Sequence, residues 1–168
     1  HTEWEATMAI ETGAKLPDAT VKLVGEAGPA DAKISDIFAG KKAVLFAVPG
    51  AFTPTCHVSH LPGFLNNLDA FAAKGVDKVV CLAVNDPFVV GAWAKASAAD
   101  GKIAFIADWD AAYTRALGMD IDLGVAGLGV RSKRYAMLVE DGTVKALHIE
   151  DQPGKAEISS AEALLAVL

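Results

Sequence analysis

Apolar positions along the chain fall into short blocks separated by glycine, proline and acidic residues, and the blocks alternate between strand-like and helix-like spacing. After an extended lead-in from Ala14, Thr20 and Lys22 alternate with Val21 and Leu23, the period of a half-buried strand. Gly25 to Asp31 is turn-rich, and Ser35 can cap a single helical turn that runs through Phe38 and stops at Gly40. Val44 to Val48 is an unbroken run of β-formers, the pattern of a buried strand, and Pro49-Gly50 ends it. Thr53-Pro54 then predicts an N-cap with proline at the first helical position, opening a helix to about Phe71 that Pro62 must kink. Val76 to Val84 predicts a second buried strand, and Asp86-Pro87 a second capped helix through Trp93 to about Ala98. Ile103 to Ala107 predicts a third strand and Asp110 to Leu117 a helix stopped by Gly118, followed by a glycine-rich loop from Asp120 to Gly129. Arg134 to Glu140 and Thr143 to Glu150 flank Asp141-Gly142, a strong hairpin signal. Ser159 with Glu162 predicts a capping box for a last helix, Ser160 to Leu168.

Strands alternating with helices imply a parallel sheet core, to which the hairpin adds antiparallel strands. The order fits an α/β, thioredoxin-like fold: a central mixed sheet flanked by helices, with an N-terminal extension. Residues 1–12 are expected to be a lead-in and residues 13–168 one domain; either Met8 is the natural start or a targeting segment precedes it. With 168 residues, 52% of them hydrophobic and 21% charged, the chain can bury a full core. A net charge of −6 argues against a nucleic-acid or anionic-membrane surface, and no apolar run reaches the length of a span. Two cysteines make no disulfide scaffold and point to a reducing, intracellular compartment.

Candidate chemistry concentrates after the first buried strand. Counting from Thr53, Cys56 is the third residue of a helix, beside unpaired N–H groups and the positive end of the helix dipole. Such a setting favours thiolate and makes a nucleophile, although a free cysteine is also commonly a small core residue. His57 and His60 allow a Cys–His hydrolase pair, yet no further His or Cys offers itself as a third metal ligand, so neither metal nor cofactor is expected. Cys81 shares a strand face with Val79 and Ala83 and, on the residues alone, reads first as core. Arg131, Lys133 and Arg134, taken alone, read as a solvated basic cluster, and Gly124, Gly127 and Gly129 lack the spacing of a dinucleotide fingerprint. No Cys-x-x-Cys pair is present.

Pro49-Gly50-Ala51-Phe52-Thr53-Pro54-Thr55-Cys56, followed by His60-Leu61-Pro62-Gly63-Phe64, resembles a type II peroxiredoxin of the plant and algal kind, the atypical two-cysteine group. Val80 to Val89 and Gly127 to Ala136 match in the same order, so the resemblance covers roughly positions 13 to 168. It implies a thiol-dependent peroxidase that reduces hydrogen peroxide and alkyl hydroperoxides through a sulfenic acid, with glutaredoxin and glutathione or thioredoxin as reductant. Residue by residue, it implies Cys56 as the peroxidatic cysteine, Thr53 as a hydrogen-bond partner of sulfur and peroxide, and Pro49 as a shield against water. It further implies Arg134 as the active-site arginine and Cys81 as the resolving cysteine. His60 and Arg131 are expected as pocket residues, and His57 departs from the serine common in the family. The resemblance also implies a homodimer with the Pro49 to Phe52 loop near the interface. The lead-in before Met8 and the Phe46-Ala47-Val48 wording lean towards the chloroplast stroma over the cytoplasm. The alternatives are a Cys–His hydrolase and a redox-sensing binding module.

A depressed pKa alone does not make a peroxidase. A thiol of pKa about 8.5 is roughly 3% thiolate at pH 7, and lowering the pKa to about 6 raises that about 30-fold. With a Brønsted slope near 0.45, however, nucleophilicity falls about 13-fold, leaving roughly a twofold gain. The remaining acceleration must come from donors aimed at the departing oxygen, for which Arg134, Thr53 and helix-start N–H groups are the candidates. Cys81 follows Cys56 by 25 positions in a strand interior, so joining them is expected to need unwinding of the loosely held first helical turn.

Overall fold

The computed structural model describes residues 8–168; residues 1–7, and with them most of the expected lead-in, lie outside the described residues. Among the described residues, nine strands and six α-helices follow one another. Strands β1 (Thr20–Gly25) and β2 (Gly28–Lys33) pair as a hairpin, so the stretch read as turn-rich contains a strand. Helix α1 (Ile34–Phe38) follows; its start is capped by the Asp18 carboxylate, which accepts from Ser35 N–H, so Ser35 is not the cap expected. Then come β3 (Lys42–Val48), α2 (Leu61–Asn66), α3 (Leu68–Ala73), β4 (Lys78–Ala83), α4 (Pro87–Ala96), β5 (Ala104–Ala107) and α5 (Ala112–Ala116). The loop expected to be irregular holds two short paired strands, β6 (Asp120–Asp122) and β7 (Val130–Ser132). Strands β8 (Tyr135–Glu140) and β9 (Thr143–Ile149) form the expected hairpin, with Asp141 and Gly142 both at positive φ, as its two-residue turn requires. The last helix, α6 (Ala161–Leu165), is capped by Ser160 rather than Ser159, and Glu162 makes no capping box: its carboxylate accepts from Asn67.

Seven strands form one sheet in the order β2-β1-β5-β4-β3-β8-β9. β3, β4 and β5 are parallel; β8, β9, β1 and β2 add antiparallel pairs on either side, giving the expected mixed sheet. Because the sheet is covered on both faces, alternate residues of β3 feed two cores. Val44, Phe46 and Val48 pack with Cys56, Phe64, Cys81 and Trp93; Ala43, Leu45 and Ala47 pack with Ile37, Phe38, Tyr113 and Tyr135. The parallel strands β3, β4 and β5 lie inside the sheet, and their carboxyl ends come together at one end of it. Near the N-terminus, Ile10 donates its N–H to Leu117 O, and Ala9 and Ile10 lie against the second core.

Candidate active site

The chain leaves β3 at Val48 and turns within four residues, Phe52 taking a left-handed φ of 62°. A Cβ at Gly50 would lie 2.8 Å from Arg131 Nη1, so a larger residue there would have to displace the end of that side chain. Helix begins at Pro54, but not with Thr53 as its side-chain cap. The Thr53 hydroxyl instead donates to Gly50 O at 2.6 Å, while its carbonyl accepts from His57 N–H. The expected disturbance by Pro62 takes a particular form: Cys56–His60 is a π-helical turn, closed by Leu61 N–H on Cys56 O. A proline ring crowds the preceding turn and offers no N–H, and a widened turn just upstream accommodates both.

Cys56 is fully buried, as is Arg134, which stands immediately before β8, the neighbour of β3 in the sheet. Arg134 Nη2 donates to Cys56 Sγ at 3.0 Å across 78 positions of sequence. Its Nε donates to Pro153 O at 3.0 Å, and its Nη1 lies 3.0 Å from His60 Nδ1. The fork is thus spoken for on three sides. Among the described residues no carboxylate pairs with it, so the sulfur is the only group bonded to this guanidinium that can carry a negative charge. A buried cation without a counter-charge is costly, and this arrangement gives Arg134 its counter-ion only when the sulfur is ionised.

His60, expected on the pocket wall, is 2% exposed and stands behind Arg134. Its ring packs edge-on against Phe46 and Phe64. Nε2 lies 2.8 Å from Ser159 O, which fixes the proton on Nε2 and leaves the Nδ1 lone pair for Arg134. Burial first, and the Arg134 cation second, push the imidazole down to about 3, so His60 is neutral. With both ring nitrogens engaged, it is not placed as a general base for Cys56. His57 is likewise occupied, its Nδ1 accepting from Trp93 Nε1 at 3.1 Å beneath Phe52. Neither histidine makes the Cys–His pair that a hydrolase needs.

Arg131, expected as a pocket residue, is bound to backbone carbonyls. Its guanidinium donates to Val84 O, Pro49 O and, through Nε, Leu128 O, stitching together the loops that follow β3 and β4. Arg134 does line a cavity, of about 280 Å³, with Pro49, Thr53, Leu123, Leu128 and Pro153. A cavity of about 300 Å³ between the β1–β2 turn and α4 contains neither thiol nor arginine. Among the described residues no cluster of His, Cys, Asp or Glu could hold a metal ion.

Cys81 sits mid-strand, paired with Phe46, in the same core as Cys56, and both thiols are free. Burial pushes the Cys81 thiol well up, so it is a poor nucleophile where it stands. Sequence reasoning missed Ser159, which it read as a cap, and Glu150, whose carboxylate accepts from Ser159 N–H, Ser159 Oγ–H and Glu157 N–H. Nothing in the local pattern marks Glu150, since its partners lie in irregular chain.

The Redoxin family profile matches residues 11–165. Among curated proteins, the chain is 47% identical to peroxiredoxin-2E-2, chloroplastic, of Oryza sativa subsp. japonica, over 97% of this chain and 73% of that one. It is 42% identical to peroxiredoxin-2B of Arabidopsis thaliana, over 95% of this chain and 98% of that one. Among solved structures, reduced Prx3 from Vibrio vulnificus in complex with H2O2 is 46% identical, with a TM-score of 0.87 over 94% of this chain and 98% of that one.

Proposed function

Because the chain belongs to the redoxin family and within it to the peroxiredoxins, and is therefore a thiol-dependent peroxidase, we propose that Cys56 is the residue peroxide oxidises, with Arg134 and Thr53 as its partners. The thiolate attacks one peroxide oxygen, an S–O bond forms as the O–O bond breaks, and sulfur supplies both electrons. The products are a sulfenic acid and an alkoxide or hydroxide that takes up a proton. Charge grows on the departing oxygen, and Arg134 is the permanent cation beside the sulfur. Thr53, having given its hydroxyl proton to Gly50 O, offers lone pairs and is suited to accept from the peroxide O–H. Pro49 contributes an apolar wall to the cavity above. The apolar lining from Leu123 and Leu128 suits alkyl hydroperoxides as well as hydrogen peroxide. The observation that carries this reading is the 3.0 Å contact between a buried guanidinium and Cys56 sulfur.

Cys81 is proposed as the resolving thiol, reached when the first turn of the helix unwinds: its SH displaces water from the sulfenic acid and leaves a Cys56–Cys81 disulfide. Free burial of both thiols in one core supports proximity, and the raised Cys81 thiol supports the need for opening. Thioredoxin, or glutathione with glutaredoxin, would then supply two electrons. A plastid form is proposed, supported by a compared relative that is named chloroplastic. No helix of the described residues is long and apolar enough to cross a membrane. A homodimer is proposed on the edge of the sheet that carries the Pro49 to Phe52 loop.

Single-turnover oxidation followed by mass spectrometry tests the scheme. One equivalent of peroxide is expected to consume one Cys56 thiol and yield an intrachain Cys56–Cys81 bond, both lost in Cys56→Ser. Peroxide consumption that survives Cys56→Ser overturns the assignment, and a glutathione adduct on Cys56 in place of the disulfide overturns the role of Cys81.

A further inference from the structure

We infer that Glu150 is a positioning residue for the active-site arginine, acting through the shape it imposes on the loop from 151 to 159; this rests on the proposed role of Arg134. The loop carries no regular structure beyond isolated turns, yet three of its carbonyls do defined work. Pro153 O accepts Arg134 Nε, Ser159 O accepts His60 Nε2, and Gly154 O accepts the Thr55 hydroxyl. The first holds the guanidinium directly. The second fixes the tautomer of the imidazole that receives Arg134 Nη1, and the third ties the loop to the residue before Cys56.

An irregular loop has no ladder of its own to aim three carbonyls, and something must fix its path. Glu150 is placed to do so. It is buried, it follows β9, and its own N–H donates to Arg134 O, which anchors its backbone to the arginine. One carboxylate oxygen, Oε2, then gathers Glu157 N–H, Ser159 N–H and Ser159 Oγ–H, each at 2.7 Å. Those are short, charge-assisted bonds, and they fold residues 150–159 back on themselves. Without the acceptor, two backbone N–H groups and a hydroxyl lose their partner together, the loop relaxes, and both carbonyls that aim the guanidinium move. Arg134 is therefore aimed by a carboxylate that does not touch its side chain. A carboxylate in direct contact would neutralise the guanidinium; one acting through carbonyls aims it and leaves its charge for the sulfur.

The experiment is a double-mutant cycle on the full chain, reading the second-order rate constant for Cys56 oxidation by hydrogen peroxide in stopped flow. Glu150→Ala is expected to lower it at least tenfold with Arg134 present and less than twofold in an Arg134→Ala background, since there is then no guanidinium to misplace. Glu150→Gln, whose amide oxygen keeps the shape and can still accept from the Glu157 and Ser159 N–H groups, is expected to restore the rate to within about threefold of the original. Equal loss from Glu150→Ala in both backgrounds means general loosening and overturns the inference. If Glu150→Ala does not fold, Ser159→Ala, which deletes one of the three bonds, carries the same cycle, and a loss of twofold or more confined to the Arg134 background is expected. An unchanged rate in Arg134→Ala alone would instead overturn the proposed function on which this rests.

Discussion

At the scale of single residues, the proposed chemistry turns on what surrounds one guanidinium. Arg134 uses a different donor nitrogen for sulfur, imidazole and a carbonyl, all at 3.0 Å. A lysine also has three donors, but all radiate from one nitrogen and cannot reach the three positions that the spread guanidinium fork serves. Arg134→Lys is therefore expected to slow Cys56 oxidation roughly 100- to 1000-fold, the scale seen when a preorganised donor to a developing oxyanion is lost. Stopped-flow measurement at saturating thiolate checks it, and a loss under tenfold would show that charge alone suffices. His60 yields a second expectation, in stability. Its folded value of about 3 lies below the ordinary 6.5, so between those values the unfolded chain binds a proton that the folded chain does not. Stability contributed by neutral His60 is thus fully present above about pH 6.5 and is lost as pH falls towards 3. From pH 7 to pH 5 the unfolding free energy should drop by about 2 kcal/mol more in the parent protein than in His60→Gln. Urea titrations at the two pH values measure the difference, and parallel losses would place the imidazole proton elsewhere.

At the scale of elements, the π-helical turn at Cys56–His60 is the least regular part of the helix that carries the sulfur. Its start is held from outside by three bonds: Arg134 to Cys56, Trp93 to His57 and Thr55 to Gly154 O. Removing a single hydrogen bond of this kind shifts an opening equilibrium by about 1 kcal/mol, or roughly fivefold. Thr55→Val keeps the shape and deletes the bond, so after one equivalent of peroxide the Cys56–Cys81 disulfide should form about five times faster. Quenched-flow alkylation follows it; a rate independent of Thr55 would mean that unwinding does not limit resolution. The strands and the helix of the site were legible because their signals are local: apolar runs in β3 and β4, Asp86-Pro87 at α4, Asp141-Gly142 in the hairpin. The π turn was not, since Pro62 announces a disturbance without specifying its form. Nor were the roles of Thr53 and Ser159 as donors to Gly50 O and Glu150, because both residue types are also ordinary caps and only the folded chain shows which acceptor each one meets. The pairing of Cys56 with Arg134 was legible only through family resemblance, there being no local signal across 78 positions.

At the scale of the whole molecule, parallel β3, β4 and β5 bring their carboxyl ends to one edge of the sheet, and the loops there carry large apolar side chains into solvent. Phe52 follows β3 and is 48% exposed, Phe88 and the partly exposed Val89 follow β4 with Phe88 at 78%, and Trp109 follows β5. Single exposed apolar residues need no explanation, but four large ones following three adjacent strands make this end of the sheet the face on which the proposed homodimer is tested. Arg131 makes this edge stiff, binding Pro49 O and Val84 O across the two loops, so the patch is held ready rather than ordered on contact. Two copies meeting edge to edge would bury it on both sides, which is the economy of an isologous interface. Sedimentation velocity should therefore find a dimer at micromolar concentration, and Phe88→Asp should shift it to monomer, because a carboxylate buried in such a contact has no partner. A monomeric parent protein, or a Phe88→Asp variant that remains dimeric, would remove this edge from consideration. The consequence reaches the chemistry, because Phe52 lies over His57, next to the sulfur-bearing residue. In the proposed homodimer a partner resting on Phe52 would brace the helix start, so the Phe88→Asp monomer should also form the Cys56–Cys81 disulfide faster than the dimer while reacting with peroxide at a similar rate.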